Sequence, residues 1–178
     1  SIGGGSSNSN VELLVNNGAT LDGVTFTVDR TLLVNTQLNL AGVNTLGSDV
    51  DLTISGSGVV SGGTIVGTSG GANENVIVDG DVDVDSVTFG ADLTQVSFVS
   101  SLTLTNVTFT SPSAVLADAK VLTVDGVVEG GTFSSTTTES TITVLATGTL
   151  DGSSIGGGSS NSNVELLVNN GATLDGVT

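Results

Sequence analysis

The chain has 178 residues, with 26 Gly, one Pro and no Cys, Met, Trp, Tyr or His, and 18 acids face two cations for a net charge of −16. Arg30 and Lys120 cannot form the basic patch that phosphate binding needs, which argues against nucleic acid and against an anionic membrane surface as partners. Without His or Cys there is no base to activate a serine and no usual zinc ligand, and no run of about 18 apolar residues offers a membrane insertion.

From its first residue the chain reads as repetitive. Residues 1–25 recur unchanged as 154–178, an offset of 153 residues. The abrupt Ser1-Ile2-Gly3 opening, without a signal peptide, reads as an internal piece of a longer array of 153-residue units, so targeting signals are expected elsewhere. A shorter period lies inside. Strand-like signals begin at Gly23, Gly42, Gly62, Ser86, Asn106, Gly130, Gly152 and Gly176, with spacings of 19, 20, 24, 20, 24, 22 and 24. These divide one unit, residues 23–175, into seven coils.

Stacking the coils produces columns. One column reads Phe26, Thr45, Ile65, Phe89, Phe109, Phe133 and Ile155, and holds four of the five Phe. Another reads Leu21, Leu40, Val60, Val84, Leu104, Val128, Leu150 and Leu174. A third reads Val15, Val34, Ile54, Val78, Phe98, Leu122, Val144 and Val168. Two residues before it stand Leu13, Leu32, Leu52, Val76, Val96, Lys120, Ile142 and Leu166, where Lys120 points to a local register shift. Spacing by two keeps side chains on one strand face, so these columns are expected to point inward together. The expected fold is all-β: a right-handed parallel β-helix, a three-faced β-solenoid of about eight coils of 19–24 residues, continuous over residues 1–178. Coil length varies at 67–75, 111–119, 134–141 and 156–163, segments rich in Gly, Ser, Thr and Asn that read as loops leaving one corner.

Coil length and columns resemble the pectin-lyase-like right-handed β-helix of large bacterial surface proteins and adhesins. The resemblance covers the whole chain and implies a fold. The catalytic acids and bases of polysaccharide lyases have no matching cluster here.

The densest acidic run is Asp79-Gly80-Asp81-Val82-Asp83-Val84-Asp85, whose alternation turns Asp81, Asp83 and Asp85 outward. They are the candidate Ca²⁺ ligands, but same-face residues lie roughly 6.6–6.8 Å apart, so a solvated acidic strip is the competing and favoured reading. No other cofactor is expected. Asp22, Asp85, Glu129, Asp151 and Asp175 each precede a corner Gly or Ser, where an acid can bond the turning backbone. A glycosidase would need two acids about 5–9.5 Å apart, and no pair is marked out. An outward column of Thr25, Thr64, Thr88, Thr108, Thr132 and Thr178, with Asn44 and Ser154, resembles ice-binding ranks, but its partner column does not match. Asn106-Val107-Thr108 is a glycosylation sequon of low specificity.

The sequence therefore points to a structural rod or filament module rather than an enzyme, at the cell surface or in an extracellular matrix. Its expected partners are identical repeat units, joined end to end covalently or by stacking. The alternative is an adhesin module gripping a glycan or cell-surface ligand through the variable loops.

Overall fold

A computed structural model describes residues 12–116, 120–136, 139–156 and 163–178, and these form 22 strands without a helix. Strands of successive coils pair in parallel, each backbone ladder running from one coil to the next. Three faces result. The first holds Glu12–Val15, Arg30–Val34, Asp51–Gly56, Asn75–Val78 and Gln95–Phe98. The second holds eight strands: Ala19–Asp22, Gln37–Ala41, Val59–Ser61, Asp83–Asp85, Leu102–Thr105, Val121–Val124, Ser140–Val144 and Val164–Val168. The third begins with Thr25–Phe26, Val43–Leu46, Thr64–Val66 and Thr88–Phe89.

Two long strands, Val107–Leu116 and Val127–Ser135, then bend through the corner from the third face to the first. Their leading halves extend the third face, which closes with Thr149–Asp151 and Thr173–Asp175. Their trailing halves extend the first face, which ends with Ser154–Ile155. Counted this way, each face carries eight segments among the described residues, which form a parallel β-solenoid of about seven turns. No helix is present that is long and apolar enough to cross a membrane, among the described residues.

Inward side chains alternate with outward ones, as in Arg30–Val34, where positions one, three and five are buried. The core follows these ladders: Ile54, Val78, Phe98 and Leu116 on the first face, and Val60, Val84, Leu104, Val124 and Val144 on the second. On the third, Ile65, Phe89 and Phe109 are in register. Phe109 is the centre of an aromatic cluster. Its ring stacks on Phe89 at 5.2 Å and meets Phe98 and Phe133 edge-on at 6.3 and 5.5 Å. Offset and edge-on geometries are those that the ring quadrupole favours.

The expected columns need correction at two levels. In the second coil Leu32 stands opposite Ile54 and Leu38 opposite Val60, two residues from the expected partners Leu52 and Leu40. A shift of two keeps the same side chains inward, so the core tolerates it. On the third face the shift is one residue: Phe26 pairs Leu46, and Asn44 pairs Ile65. Leu46 takes the core position instead of Thr45, and Asn44 turns inward and is fully buried. Burying Leu rather than Thr is the favourable choice, by roughly 1.5–3 kcal/mol for a whole aliphatic side chain.

The second correction is larger. Residues 111–116 do not form a loop; they continue the strand, with Pro112, Ala114 and Leu116 buried. Ser113 to Leu116 pair with Gln95 to Phe98, so Leu116 lies beside Phe98 where Leu122 was expected. Leu122 moves to the second face opposite Leu102. The ladder is interrupted between Phe109 and Ser113, and Pro112, with no N–H to donate, falls in that gap. Lys120 lies just before Val121–Val124, half-exposed, so the register shift expected there amounts to a whole face.

The variable segments accordingly leave from two corners. Residues 67–74 link the third face to the first, whereas 136–139 link the first to the second. The expected loop at 134–141 shrinks as well, because Ser135 ends one strand, Ser140 begins the next, and their buried hydroxyls lie 3.0 Å apart. Residues 117–119, 137–138 and 157–162 of the expected loops lie outside the described residues.

Phe109→Ala removes a ring that three others touch and should cost about 3–5 kcal/mol. Urea unfolding followed by circular dichroism checks this, with Phe109→Leu expected to lose clearly less.

Candidate functional site: stitched corners and an open edge

The acidic run sits on the second face and its approach. Asp81 and Asp83 are exposed and Asp85 is half-buried, while Val82 and Val84 between them point into the core. Two of the three carboxylates are occupied with the chain's own donors. Asp83 Oδ1 accepts the Thr103 N–H of the next coil at 3.0 Å, and Asp85 Oδ1 accepts the Ser86 hydroxyl at 2.8 Å. No three Asp, Glu, His or Cys converge on a metal-sized site among the described residues.

The same use of side-chain acceptors recurs around the solenoid. Where a strand starts or ends, a backbone N–H loses its carbonyl partner and a polar side chain one coil away takes it. Asp29 Oδ1 accepts from Asp51 N at 2.9 Å, Asn106 Oδ1 from Val127 N at 3.2 Å, and Ser101 Oγ from Val121 N at 3.0 Å. Ser100 Oγ accepts from Gly80 N at 2.9 Å, and Asn44 Oδ1 from Val24 N at 3.1 Å. Amides also bridge acids between coils, Asn73 to Asp49 at 3.0 Å and Asn75 to Asp51 at 2.8 Å. Buried and edge N–H groups must be satisfied, and Asp, Asn and Ser do it here without breaking the turn. The Asn106 of the sequon is one of these stitches.

The corner acids divide. Asp22 pairs with Ala41, and Asp85 stands between Ser61 and Thr105, all on the second face. Glu129, Asp151 and Asp175 instead stand in direct register on the third face. The Thr column divides likewise: Thr64, Thr88 and Thr108 run along the third face, followed there by Glu129. Thr132 and Ser154 pair on the first face, and the Ser154 and Thr178 hydroxyls lie 2.7 Å apart. A continuous outward Thr rank is therefore not formed, and Asn44 is inside the core.

Several buried polar groups were not legible in advance. Arg30 points inward at the head of its strand, 4 % exposed, and its Nη1 donates to the Asp29 carbonyl at 2.7 Å. Glu74 is buried at the end of the 67–74 connection, with its Oε1 unpaired and lying under Gly71. Ser153 donates to the Gly130 carbonyl at 2.6 Å. A shallow depression of about 510 Å³ is lined by Gly18, Ala19, Thr20, Gln37 and Asn39. That lining has no charge, no aromatic surface and no nucleophile beside a base.

Among the described residues, Val164–Val168 and Thr173–Asp175 are paired on one side only, as are Glu12–Val15, Ala19–Asp22 and Thr25–Phe26 at the opposite end. Val164–Val168 ends the second sheet, paired only with Ser140–Val144. The repeated sequence supplies its own control. Leu14 and its copy Leu167 face outward and are equally exposed, at 51 % each. Val15 and Leu21 face inward under a following coil and are 3 % and 8 % exposed, whereas their copies Val168 and Leu174 are 42 % and 43 % exposed. Each copy pairs with one described coil, and the interior partners of the second copy, Val144 and Leu150, which lie between two coils, are fully buried where Val168 and Leu174 are not. No family model matches this chain, and neither the curated proteins nor the solved structures give a significant match.

Two acids should respond in opposite directions. Asp83→Ala deletes the acceptor for Thr103 N and should lower stability by about 1 kcal/mol. Asp151→Asn relieves like charges on both sides and should leave stability equal or a few tenths of a kcal/mol higher. Parallel urea titrations at low ionic strength separate the two.

Proposed function

We propose that this chain is a structural rod module, a length of β-solenoid that extends by adding further identical repeats, in a filament or stalk outside the cell. The observation that carries this reading is that identical segments stand in the first and last described coils of one parallel stack, the last leaving Val168 and Leu174 exposed beside the buried Val144 and Leu150. An aliphatic strip beside unpaired backbone donors and acceptors is a template for another parallel coil. Eight coils at the sheet spacing span about 38 Å, so reach grows with repeat number rather than with sequence complexity. The polar groups at the corners serve the backbone, which supports a mechanical role over a catalytic one.

The pectin-lyase-like family fits this reading through coil length and three faces. The acidic surface suits an extended polymer that must stay dispersed from its neighbours. An adhesin reading would draw on the variable connections, several of which lie in part outside the described residues.

Electron micrographs of the chain at rising concentration should show short rods that join end to end into thin filaments. Val168→Lys together with Leu174→Lys places charge on the bare edge and should leave single rods. Round particles, or association unaffected by the two lysines, would refute growth by stacking at this edge.

A further inference from the structure

Taking the rod reading as its base, we infer that each 153-residue repeat winds the solenoid by seven and one-third coils, so that the next repeat docks on the open edge one face round from the last. The occupant of that edge is a second copy of residues 30–46, the segment that already covers the same sequence at the other end.

Three identical pairs of segments carry the argument. Glu12–Val15 lies on the first face, paired with Arg30–Val34, while its copy within Val164–Val168 lies on the second, paired with Ser140–Val144. Ala19–Asp22 lies on the second face, while its copy Thr173–Asp175 lies on the third, paired with Thr149–Asp151. Thr25 lies on the third face, while its copy Thr178 bonds Ser153 and Ile155 on the first. All three have moved by one face in the same sense.

The backbone turns agree. Gly23, Gly42, Gly62, Ser86 and Asn106 hold positive φ of 59, 60, 72, 56 and 53° at the corner between the second and third faces. From the sixth coil the matching residues Gly130, Gly152 and Gly176, with φ of 72, 60 and 59°, stand at the corner between the third and first. The extra third of a coil enters at residues 113–116, the strand half that occupies the first face before Val121–Val124 takes the second.

An array built this way repeats its orientation every three units. Each unit rises about 35 Å at the sheet spacing and turns the rod's surface by a third of a revolution. A feature such as Asp81, Asp83 and Asp85 then appears on three sides in succession instead of in one stripe.

The winding is decided in the chain itself, which has no cysteine of its own. Outward residues in register on adjacent parallel strands lie about 4.8 Å apart, within reach of a disulfide. Thr103→Cys with Thr123→Cys closes a disulfide if the extra third is present, because these residues are partners. Ser97→Cys with Val121→Cys closes if the coils are whole, since there Phe98 would lie beside Leu122. Ile77→Cys with Ser97→Cys is shared by both windings and is the control. Mass spectrometry after mild oxidation of each double variant should find the control and the 103–123 pair bridged and the 97–121 pair free. A bridged 97–121 pair, or a control that closes while 103–123 stays open, overturns the third-of-a-turn winding and leaves the rod standing. A control that stays open overturns the stacked coil, and the rod reading falls with it.

Discussion

Parallel stacking of one coil on the next at the sheet spacing is the contact on which everything else in this molecule depends. A face contributes strands as short as two residues, as at Thr25–Phe26 and Thr88–Phe89, and no such piece can bury its inner side chains alone. Thr88–Phe89 is held by a strand on each side and Thr25–Phe26 by one, so stability is the sum of neighbour interfaces rather than the property of a closed core. Val168 and Leu174, paired on one side only, stay 42 % and 43 % exposed, whereas their interior partners Val144 and Leu150 are fully buried. An end coil is half-stabilised, and an interior coil is stabilised twice.

Stacking constrains the corners in turn. Three flat ladders can close around one core only if the backbone turns sharply three times per coil, and each turn interrupts the ladder. Residues with positive φ stand at all three corners, and Ser86 and Asn106 show that side chains are accepted there where glycine is not used. The orphaned N–H groups are then taken by Asp29, Asp83, Asn106 and Ser101 from the adjacent coil. The abundance of Asp, Asn and Ser thus has a local cause that composition alone leaves ambiguous between a binding surface and a backbone cap.

The coil period and the inward columns were readable because alternation and like-on-like stacking are properties of a single strand and its spacing. Ile65, Phe89 and Phe109, or Val60, Val84 and Leu104, fall in register where those signals said they would. What escaped is cross-coil register, which depends on which of several near-equal alignments buries the most apolar surface. Ser111-Pro112-Ser113-Ala114-Val115-Leu116 has the composition of a loop, yet Pro112, Ala114 and Leu116 alternate inward and form a face. Composition and period disagreed there, and burial favoured period. Arg30 and Asn44 were illegible for a related reason: polar residues near strand ends turn inward when a nearby carbonyl or N–H can meet them, as those of Asp29 and Val24 do. The acidic run was legible as an outward row, while its engagement with Thr103 and Ser86 required the neighbouring coil.

Identical repeats bring a difficulty that the winding resolves. A parallel solenoid stacks like on like, which suits Val and Leu but sets Glu129, Asp151 and Asp175 directly above one another. Within a net charge of −16, such a ladder repels along its length, and the repulsion is weakened by distance and salt. Whole-coil repeats would align every copy of this ladder on one side of the rod, leaving the remaining sides less charged and open to lateral sticking. In the proposed array, a third of a turn per repeat would distribute the copies evenly, so that each side of the rod would carry acid at regular intervals. The apolar core is indifferent to this rotation, because all three faces accept the same Val, Leu and Ile side chains. The freedom of the interior to permute its faces is therefore what lets the exterior spread its charge.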